Sequence, residues 1–130
     1  MAKEFYPVIF HPEEKGYSTF VVDIDGCYSQ GDTLSEAVEM TQDAIGLMLE
    51  DYIQNNKTLP LPSLPEIKTT KPNDFVVMVE FDTTKYLEKH NNKPIKKTLS
   101  IPSWLNILAK QNNINFSKIL QKALKRELNI

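Results

Sequence analysis

The sequence predicts an α+β protein in two parts: a small sheet covered by one long helix, and a C-terminal module of one strand and two helices. Three observations support this prediction. Runs rich in aromatic and β-branched residues occur near the N-terminus and again at residues 75–81. One long pattern of helical period begins at residue 33. After residue 94, a pattern of period two changes at a proline into two patterns of helical period.

Two strands are predicted first, over residues 5–10 (F-Y-P-V-I-F) and residues 17–24 (Y-S-T-F-V-V-D-I). Both are rich in the residue types that strands favour. The intervening H-P-E-E-K-G is rich in turn-forming residues, so the two strands should pair as a hairpin. The D-G-C-Y-S-Q-G that follows supplies glycines for tight turns around another short strand.

The longest helix is predicted to begin at Thr33. The T-L-S-E sequence at residues 33–36 is a capping box, in which the Thr33 hydroxyl accepts a hydrogen bond from the backbone near Glu36. Apolar residues then recur at helical spacing for about five turns, which is enough to cover one face of a small sheet. The predicted apolar stripe consists of Leu34, Ala37, Val38, Thr41, Ala44, Ile45, Met48, Leu49, Tyr52 and Ile53.

A proline-rich crossover follows the helix. Three prolines between residues 60 and 65 exclude regular helix and favour an extended path. Residues 75–81, F-V-V-M-V-E-F, predict one more strand of the same sheet, and a short helix is expected over residues 83–89. The polar, turn-prone N-N-K-P then predicts a hinge. The sequence therefore divides into an N-terminal domain at residues 1–90, a hinge at residues 91–94 and a C-terminal module at residues 95–130.

The strand of the C-terminal module, I-K-K-T-L-S-I at residues 95–101, has two different faces. Leu99 and Ile101 point to the same side because alternate residues of a strand share a face. Pro102 ends the strand, since it lacks a backbone N–H. The opposite face is polar and consists of Lys96, Thr98 and Ser100.

Two amphipathic helices follow the proline. The first begins near Ser103 and ends at Q-N-N, and the second is capped by Asn115. A strand and two helices of this length cannot enclose a core alone, so we expect two copies to pair their strands and form a homodimer. The predicted dimer core consists of Leu99, Ile101, Trp104, Leu108, Ile119, Leu120 and Leu124.

The net charge of −2 hides a strong asymmetry. Residues 1–66 carry 12 acidic side chains and 3 lysines, a charge of −9, whereas residues 67–130 carry 12 basic and 5 acidic side chains, a charge of +7. The basic half suits a polyanion such as nucleic acid, and the acidic half suits a basic protein surface. The alternative is a pair of solvated surfaces whose composition has drifted.

Several classes of protein are disfavoured. One cysteine, Cys27, excludes an internal disulfide, and with two distant histidines, His11 and His90, it makes a poor metal site, because such sites need three or four ligands. No cofactor motif is recognisable, so we expect no cofactor. The chain has neither a leader-like start nor a long apolar run, which predicts a cytoplasmic protein without a membrane partner.

The C-terminal module resembles the ribbon-helix-helix superfamily of DNA-binding dimers. The resemblance rests on the strand, the proline, both helices and the turn between them. It implies that Lys96, Thr98 and Ser100 read base edges in the major groove, although an ordinary solvent-facing strand edge is the alternative. It also implies that the start of the second helix holds a DNA phosphate. The phosphate-contacting positions are Asn115, Phe116, Ser117 and Lys118.

Nearly the whole chain resembles the HicB family of antitoxins. The motifs that carry this resemblance are Y-P-V-I-F, G-Y-S-T-F-V-V-D-I-D-G-C, Q-G-D-T-L-S-E-A, P-L-P-S and F-V-V-M-V-E-F. The resemblance implies a truncated ribonuclease-H-like N-terminal domain that neutralises a small basic HicA-like ribonuclease toxin. It also implies that the C-terminal homodimer binds operator DNA to repress its own operon, and that toxin and antitoxin form higher assemblies. Candidate toxin contacts are Glu13, Glu14, Asp23, Asp25 and Asp32.

Two other functions compete with the antitoxin. Asp23 and Asp25 lie near a strand end, as do metal-binding carboxylates of ribonuclease H, but residues 5–10 contain no third carboxylate, so we expect no catalysis. A ribbon-helix-helix regulator whose N-terminal domain senses a small ligand would explain the C-terminal half equally well. An adjacent reading frame for a small basic protein would favour the antitoxin.

Overall fold

The chain forms two compact units, Met1–Lys93 and Pro94–Ile130. The computed structural model describes residues 3–63, 69 and 71–130. The predicted mixed α+β class is confirmed. The strands are β1 Lys3–Pro12, β2 Tyr17–Val21, β3 Tyr28–Gly31 and β4 Phe75–Asp82. The helices are α1 Leu34–Met48, α2 Glu50–Gln54, α3 Thr83–His90, α4 Ser103–Gln111 and α5 Phe116–Glu127.

The strands of the N-terminal unit form one antiparallel sheet in the order β3-β2-β1-β4. The predicted hairpin is present, with Val8 of β1 opposite Val21 of β2. β2 ends at Val21 and not at residue 24, because the chain turns there. The Val21 N–H donates to the Cys27 carbonyl at 3.0 Å, and Gly26 adopts a positive φ of 74°. The turn thus leads directly into β3, the short third strand.

The core lies between the sheet and α1. Thr41 of α1 is fully buried, and its hydroxyl donates to the Ala37 carbonyl at 2.6 Å. The buried Thr19 hydroxyl of β2 lies 2.8 Å from that of Thr41, so both polar groups are satisfied. The apolar core includes Tyr6, Val8, Phe10, Val21, Ala37, Ile45, Leu49, Val79 and Phe81. We call this side of the sheet the inner face.

The predicted cap of the long helix is confirmed, because the Glu36 N–H donates to the Thr33 hydroxyl at 3.1 Å. The predicted single helix is wrong in one respect: it divides at Leu49 into α1 and α2. The Leu49 N–H still donates to the Ile45 carbonyl at 2.9 Å, so the interruption is local. Two positions of the predicted stripe, Leu34 and Met48, are 46% and 44% exposed, because they lie at the two ends of α1 beyond the central contact with the sheet.

The proline-rich segment is fastened to the N-terminal unit. Leu59 is buried, and the Tyr6 hydroxyl donates to the Pro60 carbonyl at 2.8 Å. Burial, together with the negative charges of Glu4 and Asp23, raises the pKa of Tyr6 to about 12. Asp23 accepts hydrogen bonds from the Ser63 backbone N–H at 2.9 Å and from its hydroxyl. Residues 59–63 are therefore attached to the N-terminal unit by these contacts.

Gly31 marks the closest approach of β3 to α1. A Cβ atom at this position would lie 2.3 Å from the backbone nitrogen of Ala37. Because backbone atoms of a packed helix cannot rotate away, we expect Gly31→Ala to lower the free energy of unfolding by about 2–3 kcal/mol. Urea denaturation measures this, with Gln30→Ala, an exposed neighbour in β3, as the control. Equal stability of the two variants would contradict the packing described.

The C-terminal unit consists of two helices preceded by a segment without regular secondary structure. Pro102 lies at the start of α4, with φ −57° and ψ 141°, and its carbonyl accepts from the Asn106 N–H at 3.1 Å. Asn113 turns the chain between the helices with a φ of 53°. Residues 95–101, all within the described chain, join no ladder with the described strands. A ribbon strand pairs with its copy in a second chain, so this pairing stays a prediction.

Candidate functional site

The C-terminal unit has apolar helices but no core of its own. None of residues 94–130, all of which the structure describes, is buried. Trp104 is 63% exposed and Leu99 is 56% exposed, although such side chains are normally removed from water. Of the predicted dimer core, Leu120 is partly buried, and the other members are all exposed. Those members are Leu99, Ile101, Trp104, Leu108, Ile119 and Leu124.

The predicted base-reading residues precede this apolar surface. Lys96, Thr98 and Ser100 are exposed and lie at alternate positions of the segment that leads into α4. Leu99 and Ile101, at the intervening parity, belong to the exposed apolar set. The segment therefore carries one polar series and one mainly apolar series, in which Lys97 is the charged exception. That arrangement is what a two-stranded ribbon needs, since one face must contact the helices and the other the major groove.

The start of α5 is built as the sequence predicts. Asn115 is the N-cap, and its side-chain oxygen accepts from the Lys118 N–H at 3.1 Å. Phe116 and Ser117, the first two residues of the helix, are exposed. The first N–H groups of a helix have no partner within the helix, and its dipole favours an anion there. This end of α5 therefore favours an anion, and phosphate binding through the N–H groups of Phe116 and Ser117 stays a prediction.

The five acidic residues predicted as toxin contacts all lie in turns and loops of the N-terminal unit. Asp23 is engaged by Ser63. Glu13 accepts from the Ser18 hydroxyl at 2.9 Å, and Asp32 pairs with Lys15 at 3.4 Å. The remaining two, Glu14 and Asp25, are exposed. Several of these carboxylates therefore serve turns and loops of the fold itself.

A second acidic group lies on the solvent side of α1 and ties it to α3. The Lys89 ammonium lies 2.9 Å from the Asp43 carboxylate and 3.2 Å from that of Glu39. His90 lies 3.1 Å from Asp43. Partial burial acts to raise the pKa of Asp43, but the hydrogen bonds from Lys89 and His90 outweigh it and lower that pKa. These contacts orient α3, the last helix before the predicted hinge.

The two units differ in charge. In the N-terminal unit, the described residues carry 15 acidic and 7 basic side chains, a charge of −8. Residues 94–130 carry 7 basic side chains and one acidic side chain, a charge of +6. Among the described residues there is no group of three or more potential metal ligands. Within the same residues, no helix is long and apolar enough to cross a membrane.

This chain is similar to known proteins over most of its length. Residues 6–124 match the family model described as "HicB_like antitoxin of bacterial toxin-antitoxin system". An uncharacterised 14.9 kDa protein from the rep-hol intergenic region of Haemophilus phage HP1 is 32% identical over 103 residues, which are 77% of this chain and 74% of the phage protein. The antitoxin HicB of Escherichia coli K12 is 41% identical over 59 residues, which are 45% of this chain and 43% of that antitoxin.

Solved structures extend the likeness over the full length. A chain of a toxin-antitoxin complex from Streptococcus pneumoniae has a TM-score of 0.56 and 28% identity, with 97% of this chain and 99% of that chain covered. A crystal structure of the antitoxin HicB3 has a TM-score of 0.51 at 20% identity, with 95% and 96% covered, a likeness of fold. Because the family model spans most of the chain, this protein belongs to the HicB-like antitoxins of bacterial toxin-antitoxin systems.

Proposed function

We propose that this chain is a two-part antitoxin. Its N-terminal unit binds and neutralises a HicA-like ribonuclease toxin that cleaves mRNA, and its C-terminal unit dimerises and binds operator DNA to repress its own operon. The observation that supports this most strongly is family membership over residues 6–124. The charges of the two units are of the signs that a basic protein and a polyanion would require.

The toxin-binding part of the proposal rests on the N-terminal unit. This unit is acidic, and the related chain from Streptococcus pneumoniae comes from a toxin-antitoxin complex. A small ribonuclease must present basic side chains to bind RNA, so an acidic protein that covers them excludes the RNA. We propose that the N-terminal unit is a truncated ribonuclease-H-like domain that acts by binding alone.

The DNA-binding part rests on the exposed apolar helices of residues 94–130. Two copies that pair residues 95–101 antiparallel would bury Leu99 and Ile101 under four helices. The same pairing would present Lys96, Thr98 and Ser100 twice on a ribbon that fits the major groove. The N–H groups at the start of α5 would then fix the ribbon to the phosphates on either side.

Co-expression tests the toxin-binding part directly. The protein encoded by the neighbouring reading frame is expressed with and without this chain, while growth and co-purification through a tag are measured. The proposal predicts growth arrest by the neighbour alone, rescue by this chain and a stable complex. If the neighbour is harmless and forms no complex, a ribbon-helix-helix regulator with a small ligand becomes the better explanation.

Operator binding should depend steeply on salt. Each phosphate that the dimer neutralises contributes roughly −0.9 to the slope of log K against log salt concentration. With contacts made twice by symmetry, we expect a slope steeper than about −4 for wild type. Lys118→Ala should reduce the magnitude of that slope by roughly 2, one contact in each half of the dimer. Gel-shift titrations over a salt series measure this, and a flat response would argue against phosphate-dominated binding.

A further inference from the structure

The sheet of the N-terminal unit has apolar side chains on both faces. Val8, Val77 and Val21 point to the inner face, toward α1. Because neighbouring residues of a strand point to opposite sides, the alternate positions point away from the helix. Six of these are aromatic or aliphatic side chains that are at least partly exposed, and we call them the outer sheet face; Pro7, opposite Met78 on the same side, is fully buried. The outer sheet face consists of Phe5, Ile9, Phe20, Tyr28, Val76 and Met78.

The outer sheet face is continuous across all four strands. Ile9 of β1 lies opposite Phe20 of β2 on one side and opposite Val76 of β4 on the other. Phe20 in turn lies opposite Tyr28 of β3, and their rings stack with centroids 5.1 Å apart. Directly opposite residues on one face of a sheet are in side-chain contact. The row therefore runs from one edge strand to the other without a polar interruption.

Parts of the outer sheet face are open to solvent, whereas Ile9 and Phe20 at its centre are partly buried. Tyr28 is 67% exposed, Phe5 is 47% exposed and Met78 is 44% exposed. Between β1, β2 and β3 the row borders an open cleft of about 730 Å³, lined by Ile9, Phe20 and Tyr28 among others. Single exposed apolar side chains are normal, but a contiguous exposed set of this kind marks an interaction surface. Tyrosine and other aromatic residues also dominate the binding energy of protein interfaces.

Charge indicates which kind of partner this surface can bind. A second copy of the N-terminal unit would bring a charge of −8 against −8, which opposes association through this face. Acidic side chains also border the row, Glu13 and Asp74 beside the cleft and Glu80 and Asp82 on β4. Three lysines offset part of this charge: Lys71 lines the cleft, Lys3 lies 3.9–4.0 Å from Glu80 and Asp82, and Lys85 lies 3.9 Å from Glu80. An apolar surface with a net acidic surround fits a partner with an apolar patch among basic side chains.

We propose that the outer sheet face is the surface on which this antitoxin docks its basic ribonuclease toxin. The inference rests on the function proposed above and specifies where that binding takes place. In this proposal the aromatic and aliphatic side chains of β1 to β4 make the main contact with the toxin, in place of the acidic residues of the turns. The surrounding carboxylates attract the basic toxin to this surface.

Charge insertion on two different strands tests this surface. Tyr28→Lys and Met78→Lys are made in the full chain. Calorimetry then measures the dissociation constant of each variant with the purified protein encoded by the neighbouring reading frame. Each should weaken binding at least about tenfold, because a lysine removes apolar contact and repels a basic partner. The matched control is Leu47→Lys, which adds the same charge at a 64% exposed side chain of α1 and should stay within about twofold. Thermal melting and operator gel shifts confirm that all three variants fold.

The outcomes separate the two proposals. Loss of binding in Tyr28→Lys and Met78→Lys with Leu47→Lys retained supports the outer sheet face. Loss in Leu47→Lys alone would place the toxin on α1 and overturn the inference, as would equal losses in all three, which would reflect net charge only. If wild type itself does not bind the neighbouring product, the proposed antitoxin function fails, and the docking surface fails with it.

Discussion

Leu124→Asp should dissociate the C-terminal dimer and abolish operator binding. Leu124 lies on α5 and is 49% exposed in the single chain, within the apolar set that we expect the second copy to cover. An ionised carboxylate buried in the dimer interface without a partner costs several kcal/mol per chain. A symmetric dimer would contain two such carboxylates. Since residues 94–130 have no core without the partner, the loss of the dimer should also loosen the two helices. Sedimentation equilibrium measures the change.

A control on the same helix separates the effect of disrupting the dimer interface from the effect of added charge. Gln121→Asp adds the same negative charge to α5 three residues earlier, at an exposed polar position on the border of the apolar stripe, where the carboxylate can stay in water. It should remain dimeric. Leu99→Asp, on the segment before α4, should behave like Leu124→Asp. An intact dimer in both leucine variants would show that the chains associate elsewhere.

Lys96→Ala should remove specific operator binding, whereas Lys97→Ala should largely retain it. Both substitutions delete one positive charge, but the two lysines lie at opposite parity on residues 95–101. A good contact from a lysine to a guanine edge contributes about 1–3 kcal/mol of discrimination, and the dimer makes it twice. Lys96→Ala should therefore weaken specific binding at least about tenfold, and Thr98→Ala should act in the same direction.

Gel shifts with operator and with an unrelated duplex measure this difference. Toxin binding should be unchanged in all three variants, because the substitutions lie in the other unit. Equal effects of Lys96→Ala and Lys97→Ala would contradict the assignment of the strand faces and leave only a general electrostatic contribution of the segment.

The elements with local sequence signals were predictable. The capping box at Thr33 fixes the start of α1 through one side chain and one backbone group three residues on, so no tertiary contact is needed to identify it. Pro102 and Asn115 are recognisable for the same reason. The hairpin of β1 and β2 follows from two strand-like runs separated by a turn-rich segment.

The division of α1 from α2 at Leu49 was not predictable, because no proline or glycine marks that position and the apolar period continues through it. Nor does the sequence indicate that Asp23 accepts hydrogen bonds from Ser63, which lies 40 residues away. Contacts of this kind depend on the path of the crossover in space. The acidic residues of the turns were therefore chosen for their charge alone.

The outer sheet face was also missed, although its signal is present in the sequence. In F-V-V-M-V-E-F, Val76 and Met78 occupy the parity that should face water if one side of β4 is buried. An unbroken apolar run is ambiguous, since it is typical of a strand covered on both sides. The structure resolves this ambiguity. Helix α1 covers only the inner face of the sheet, so the apolar residues of the other face remain available to a partner.

The most direct test of the antitoxin account is inhibition of RNA cleavage in a purified system. The purified protein encoded by the neighbouring reading frame is incubated with mRNA, and this chain is titrated into the reaction. The account predicts that cleavage stops when antitoxin reaches a fixed stoichiometric ratio to toxin, and that Lys96→Ala inhibits as well as wild type. Cleavage that persists at a large molar excess of the folded chain would contradict it.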